Sequence, residues 1–341
     1  MKIGVDATPL ATSTGGIRRY LCELASALGH AFAGDELIFL SDQLAPPGSL
    51  FTRHWWSMGL PLELVRRRVD VFHGVDFAVP YLPVCPSVLT LHDLSPWMDP
   101  GWHHGADRVR RRTPALIQLG LATMVVTPSE AVRRQAIDRF RLSPARVAAI
   151  PLAASPHFRP VQTPVRPRPY FLSVGTIEPR KNLDTIVRAW REVRKHADVD
   201  LILAGRCRKD FVRPPPEPGL EMPGPAPEAE LPALYSGAVA LLYPSYYEGF
   251  GLPVLEAMQC GAPVIVSRDP AIGEVTGDAA VRIESRDVRA WVEAMRAALG
   301  NHEWHGERRR RSIERARWFS WERTARMTRE VYEQALRRFG S

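Results

Sequence analysis

Cysteine is scarce in this chain: Cys22, Cys85, Cys207 and Cys260 lie far apart, with no C-x-x-C spacing. That excludes a zinc ribbon and a disulfide-stapled fold, and agrees with reduced thiols in a cytosol. Long apolar runs are missing too. No stretch reaches the roughly 18 residues of a membrane-spanning helix, and the longest candidate, residues 115–126, is interrupted by Gln118 and Gly120. Residues 1–5 read as a strand leading to Asp6 rather than as a charged-then-apolar leader, so no signal peptide is expected. There is no helix-turn-helix, RNP or zinc signature for nucleic acid, and no full G-x-G-x-x-G dinucleotide fingerprint.

What is present is an ordinary soluble composition, 45% hydrophobic and 24% charged, in 341 residues. That length exceeds the usual ceiling for one core, so two domains are expected. The net charge of +8 is carried largely by arginine clusters at 66–68, at 108 and 110–112, and at 308–311. Such clusters suit phosphate-bearing partners or an anionic membrane surface; for 308–311 a solvated helix face is the simpler reading.

Short apolar strands at 2–6, 36–40, 69–73, 87–91 and 124–127 alternate with helical or looped segments, the βαβ pattern of a parallel sheet. After the first comes Gly15-Gly16 and a helix with Ile17, Tyr20, Leu21, Leu24 and Leu28 on one face. The strand at 87–91 runs into His92-Asp93, which places the histidine at a carboxyl end, the ligand side of such sheets. Ser129 reads first as a helix cap. Residues 95–112 gather Trp97, Trp102, His103, His104 and arginines, a candidate acceptor or membrane patch; the two histidines lack the spacing of metal ligands on one helix face.

Residues 160–169 contain four prolines and almost no apolar pattern, and are taken as a linker with the boundary at 164/165. The second domain, 165–320, opens with a strand near 170–175, then Thr176, Arg180 and Lys181 before a helix. Two cations are unfavourable at a helix N-terminus unless an anion is held there. Asp198-Val199-Asp200 is a D-x-D, but it precedes a strand, at the edge away from ligands, so no metal role follows. Residues 211–232 are dense in proline and are expected to form an irregular loop, with a helix starting at 228–235. An amphipathic helix is expected near 318–339, with Trp321, Ala325, Val331, Tyr332 and Leu336 inward.

The densest signal is 243–263, YPSYYEGFGLPVLEAMQCGAP: a buried strand, a glycine loop, then a helix with Pro253 at its first position and Val254, Leu255 and Met258 as its stripe. Glu248 and Glu256 flank that corner with seven residues between them. E-G-F-G-L-P-V-L-E resembles the E-x7-E signature of retaining GT-B glycosyltransferases of family 4 (group 1), and the chain is similar in this to bacterial mannosyltransferases of surface-polysaccharide assembly. G-G-I-R-R-Y, L-H-D-L, T-P-S-E and V-G-T-I-E-P-R-K-N resemble further segments of that family, so the likeness spans nearly the whole chain.

The resemblance implies an α/β GT-B fold, two Rossmann-like domains with parallel sheets facing across a cleft. Residues 1–164 would choose the acceptor, 165–320 would bind the nucleotide-sugar, and a final helix, 321–341, would return to the first domain. It implies that Glu256 meets the ribose hydroxyls and Glu248 the donor sugar. Phe250, Gly251 and Leu252 would line the sugar and phosphate pocket, with Gly15 and Gly16 facing the phosphates. Lys181 and Arg180 would stabilise the leaving diphosphate, and His92 would contact the sugar. Thr176 stands where many relatives carry arginine, which leaves open whether Arg180 or Arg206 supplies the second cation.

The implied chemistry moves a hexose, mannose first, from a GDP- or UDP-sugar to a saccharide or lipid-linked oligosaccharide acceptor, with retention and with neither metal nor cofactor. Front-face attack and double displacement both remain open. A cytoplasmic enzyme, in peripheral contact with an anionic membrane and without nucleic acid, is the corresponding expectation. The rival readings are a GT-B nucleotide-sugar epimerase and a basic protein that binds anionic membrane or nucleic acid.

Overall fold

The computed structural model describes residues 1–11, 15–44, 50–103, 105–162, 166, 168–209 and 211–339. His104 and the linker position 164/165 lie outside the described residues. The chain divides into two compact units, Met1–Leu152 with Ser320–Ser341, and Ala153–Phe319.

The first unit is built on six parallel strands: β1 (Lys2–Asp6), β2 (Glu36–Leu40), β3 (Val71–Gly74), β4 (Ser87–Thr90), β5 (Met124–Thr127) and β6 (Val147–Ala149). They lie in the order β2-β1-β3-β4-β5-β6. β3, β4 and β5 are buried along their whole length, as strands covered on both faces must be. The order reverses between β1 and β3, so the crevice at their carboxyl ends is the place for a ligand.

Helix Trp321–Arg338 belongs to this unit and packs on helix Gly16–Ala31 and on β3, β4 and β5. Its buried face carries Trp321, Thr324, Ala325, Thr328, Val331, Tyr332 and Ala335. Leu336, expected inward, is 37% exposed, because the inward stripe passes through Ala335 in the last turn. Tyr332 reaches a polar cluster that sequence reasoning did not anticipate. Its hydroxyl is 2.7 Å from His73 Nδ1, and His73 Nε2 is 2.7 Å from Thr90 Oγ1. Burial pushes the His73 imidazole down to about 3, so it is neutral and serves as a hydrogen-bonded strut.

Ser129 caps helix Glu130–Phe140, its hydroxyl accepting from the Val132 amide at 3.2 Å. Replacement by alanine, Ser129→Ala, is expected to cost about 1 kcal/mol in chemical denaturation.

The second unit repeats the plan with β7 (Tyr170–Val174), β8 (Asp200–Ala204), β9 (Leu220–Gly224), β10 (Ala240–Tyr243), β11 (Val264–Ser267) and β12 (Val281–Ile283). The order β12-β11-β10-β7-β8-β9 is, counted from β7 and read in reverse, 3-2-1-4-5-6, that of a dinucleotide-binding fold. Helices Leu183–Arg194 and Val288–Gly300 bury Ile186, Trp190, Trp291 and Met295 against the sheet. Trp190, wholly buried, satisfies its indole N–H on the Val199 carbonyl at 2.9 Å.

β9 corrects the sequence reading, which made 211–232 an irregular loop with a helix starting at 228. A five-residue strand pairs with β8 at the sheet edge. Its half-exposed residues lack an apolar alternation, and an edge strand tolerates Pro223. The helix itself follows a short 3-10 turn, Glu228–Glu230, and spans Leu231–Gly237.

Candidate active site

In the second unit the strand order reverses between β7 and β10, and the segments leaving those two strands build the site. β7 runs into Gly175, at φ 139°, beside which the chain after β8 passes closely. A Cβ on Gly205 would lie 1.7 Å from the Gly175 carbonyl oxygen, so only glycine fits. A single 3-10 turn, Pro179–Lys181, then presents Arg180 and Lys181.

Asn182 ends that turn at φ 53°, a left-handed conformation that asparagine tolerates better than most residues. Its side-chain amide donates to the carbonyls of Pro244 at 3.1 Å and Ser285 at 2.6 Å. The turn is thereby pinned to the loop that leaves β10.

That loop carries Glu248, 6% exposed. Lys181 Nζ donates to its Oε1 at 2.6 Å, and Arg180 Nη1 lies 3.3 Å from its Oε2. Arg180 also donates to the Tyr247 carbonyl at 2.6 Å and to Glu178 at 2.8 Å, while Glu178 is bridged in turn by Arg208 at 3.0 Å. The charges alternate, Arg208, Glu178, Arg180, Glu248, Lys181, and this string ends with one net positive charge.

Burial is the largest influence on Glu248 and would raise its pKa, but Lys181 and Arg180 together reverse it and hold the carboxyl at about 2. Glu248 is therefore ionised across the neutral range. Such a weak base suits hydrogen-bond acceptance rather than proton abstraction. Burial also lowers the Lys181 pKa, opposed by Glu248.

Asp269 supports the loop from the other side. Its Oδ2 accepts from the Glu248 amide at 3.2 Å, and its Oδ1 caps helix Pro270–Thr276 through the Ile272 amide at 3.0 Å. Burial raises its carboxyl to about 6.

Helix Leu252–Gln259 follows Gly251, at φ 95°, so Pro253 is its second residue and not its first. Glu256 consequently lies beyond the first turn, 2% exposed, and accepts from the Tyr235 hydroxyl at 2.8 Å. Burial chiefly raises the phenol of Tyr243, at the end of β10, with Glu248 next and the Glu256 charge a smaller contribution. Phe250 is buried edge-on against Phe319, with ring centroids 5.8 Å apart.

Thr176 lines a narrow crevice together with Gly175, Lys181, Tyr243 and Ser245. Arg206 is exposed after β8, its carbonyl accepting from the Ile177 amide next to Thr176 at 2.9 Å. The structure thus brings Arg180, Lys181 and Glu248 into direct contact, with Thr176 and Arg206 around the same strand ends. Asp200 begins β8 at its amino end, away from that crevice. Among the described residues no His, Cys, Asp or Glu cluster is arranged to hold a metal ion.

Gly15, Gly16 and His92 belong to the first unit. Gly15, at φ 141°, precedes helix Gly16–Ala31, and both glycines are exposed. His92 follows β4. Its Nε2 lies 2.7 Å from the Val75 carbonyl, so that nitrogen carries the proton. Burial keeps the ring below its usual pKa, opposed by Asp76, which leaves a neutral imidazole with Nδ1 as an acceptor.

In the 95–112 segment Trp97 is partly buried edge-on against Phe140 at 5.3 Å. Arg110 is tied to the carbonyls of Pro96 at 2.6 Å and His103 at 3.0 Å, whereas Met98 is exposed. Sequence reasoning missed Glu178, Asn182, Arg208, Tyr243 and Asp269. Asn182 and Asp269, each directly before a helix, are the two that carry a local signal.

Solved structures with this architecture include sucrose-phosphate synthase from Thermosynechococcus elongatus, TM-score 0.76 and 20% identity over 98% of both chains. Another is Anabaena HepE in complex with UDP-glucose, TM-score 0.72 and 16% identity over 98% of this chain and 99% of that one. Two six-stranded parallel α/β sheets of this kind define the fold class as GT-B.

Within that class the chain belongs to the group 1 glycosyl transferases, family 4: the Glycosyl transferases group 1 model matches residues 156–318 and the Glycosyltransferase Family 4 model residues 14–158. It is 33% identical over 284 residues to O-antigen chain mannosyltransferase B of Escherichia coli, covering 77% of this chain and 74% of that one. It also matches longer Escherichia coli mannosyltransferases, of which it spans about a third (34% and 33%). The protein is a glycosyltransferase. Among the described residues no helix is long and apolar enough to cross a membrane.

Proposed function

We propose that this enzyme transfers a hexose, mannose in the first instance, from a GDP- or UDP-sugar to a saccharide or lipid-linked acceptor, with retention of anomeric configuration and no metal. The observation that carries the reading is the Arg208–Glu178–Arg180–Glu248–Lys181 string at the strand reversal of the second sheet, with its single surplus positive charge. Mannose is favoured by the mannosyltransferase at 33% identity. A uridine nucleotide stays in the panel because the HepE structure holds UDP-glucose.

In this reading the departing diphosphate takes its compensating charge from Lys181 and from exposed Arg206. These groups are in place before the bond breaks and need no reorganisation. Arg180 keeps Glu248 aimed, Glu248 accepts hydroxyls of the donor sugar, and Thr176 and the Phe250, Gly251 and Leu252 backbone line the pocket. Glu256 takes the ribose hydroxyls. Glu248 is too weakly basic to remove the acceptor's proton, which favours front-face attack with the leaving phosphate oxygen as base. In the first unit Gly15 and Gly16 leave backbone open to phosphate, and the acceptor nitrogen of His92 suits a sugar hydroxyl. Peripheral contact with an anionic membrane is part of the proposal for a lipid-linked acceptor.

Thermal unfolding with a panel of GDP-, UDP- and ADP-sugars tests the donor. The true donor raises the midpoint, and a panel with no response would refute the reading. Product NMR then gives the anomeric configuration, an inverted product counting against retention, and activity that EDTA abolishes would end the metal-free mechanism. Glu256→Ala should raise the donor KM about 10- to 100-fold, the loss of one or two hydrogen bonds to a charged acceptor. An unchanged KM would remove Glu256 from the nucleotide site.

A further inference from the structure

We propose that Tyr243 is a positioning residue for the transfer reaction, its hydroxyl fixing the Lys181 ammonium in the direction of the donor diphosphate; this rests on the glycosyl-transfer reading above. Tyr243 is the last residue of β10, and its side chain is buried at the carboxyl end of the sheet. Lys181 Nζ donates to its hydroxyl oxygen at 2.8 Å and stands 4.8 Å from the centre of its ring.

An ammonium has three N–H groups on a flexible four-carbon stem. Here one is directed at Glu248 Oε1, at 2.6 Å, and a second at Tyr243. Two fixed bonds set the direction of the third, which has no partner among the described residues, and Lys181 and Tyr243 both line the crevice with Gly175 and Thr176.

Tyr170, in the same sheet, donates its hydroxyl to backbone, the Leu234 carbonyl, at 2.7 Å. Tyr243 instead spends its oxygen on a buried cation. Burial, first, and the neighbouring Glu248 keep its phenol protonated far into alkaline pH, so the oxygen is a neutral acceptor throughout the working range. Lys181 loses basicity on burial, and an acceptor oxygen favours its charged form. Tyr243 therefore helps to keep Lys181 both charged and aimed.

The test is Tyr243→Phe, which keeps the ring and its packing and deletes one oxygen. The chain has four lysines, Lys2, Lys181, Lys195 and Lys209, so isotope-labelled lysine gives a sparse NMR spectrum in which Lys181→Met identifies the buried residue. Tyr243→Phe is expected to lower the Lys181 titration midpoint by about half to one pH unit and to move the alkaline limb of kcat by the same amount. At neutral pH kcat should fall about 10-fold, with donor KM changed less than about 3-fold. In a Lys181→Met background the second substitution should add nothing.

An unchanged lysine midpoint and kcat would overturn the proposal, as would an equal loss in the Lys181→Met background. Wild-type enzyme that turns over no nucleotide-sugar overturns the donor reading and this inference together; active enzyme indifferent to Tyr243→Phe overturns this inference alone.

Discussion

Lys181→Met is expected to lower kcat/KM for nucleotide-sugar turnover about 1,000-fold, a loss of about 4 kcal/mol of transition-state stabilisation. Methionine keeps most of the stem's volume and removes the charge together with the N–H donors to Glu248 and Tyr243. The Lys181 side chain is 11% exposed and its ammonium already oriented by Glu248 and Tyr243, so its attraction for a developing phosphate charge is little screened by water. The loss should fall mainly on kcat, because charge grows on the diphosphate as the glycosidic bond breaks. Glu248 would retain Arg180 at 3.3 Å and remain ionised at neutral pH, though with a pKa above its present value of about 2. Steady-state release of free nucleotide measures the effect, with circular dichroism as the control for folding. Activity within a few-fold of wild type would place the leaving group elsewhere. Lys181→Arg should rescue poorly, since a planar guanidinium cannot share one nitrogen between Glu248 and Tyr243 in the same geometry.

The parts of this site that were legible in sequence are those encoded locally. Buried strands ending in glycine, the E-x7-E corner and the Ser129 cap each depend on residues within about ten positions of one another, where strand and helix periodicity and cap chemistry apply. β9 was hidden because an edge strand with two half-wet faces needs neither alternation nor a continuous apolar run. Glu178 and Arg208 are 30 positions apart, Lys181 and Tyr243 62, and Arg180 and Tyr247 67, and no local pattern encodes such pairings. Arg180 shows what context adds to a reading. Beside a helix N-terminus the sequence assigns it an anion from outside; the fold also supplies Glu178, Glu248 and a carbonyl from within. The sequence left open whether Arg180 or Arg206 supplies the second cation, and Arg206 is exposed after β8.

Arg180→Met should consequently act on stability as much as on turnover. The guanidinium of this buried residue holds Glu178, Glu248 and the Tyr247 carbonyl in one arrangement. Removing it leaves two buried carboxylates with one cation each, Arg208 and Lys181, and an expected loss of about 3–5 kcal/mol at pH 7. The pH dependence separates this from a simple packing defect. In wild type the folded-state pKa of Glu248 is depressed from 4.5 to about 2, so its contribution is complete above pH 4.5 and disappears as pH falls towards 2. That window corresponds to roughly 3 kcal/mol. Without Arg180 the folded-state pKa rises towards the unfolded value, and the acid-side loss shrinks. Urea denaturation should therefore show a larger gap between variant and wild type at pH 7 than at pH 3. A gap of equal size at both would mean that Arg180 does not hold the Glu248 charge, and the string would then be two independent ion pairs. Arg180→Lys should recover only part of the stability, because one ammonium cannot span three acceptors that the guanidinium fork reaches at once.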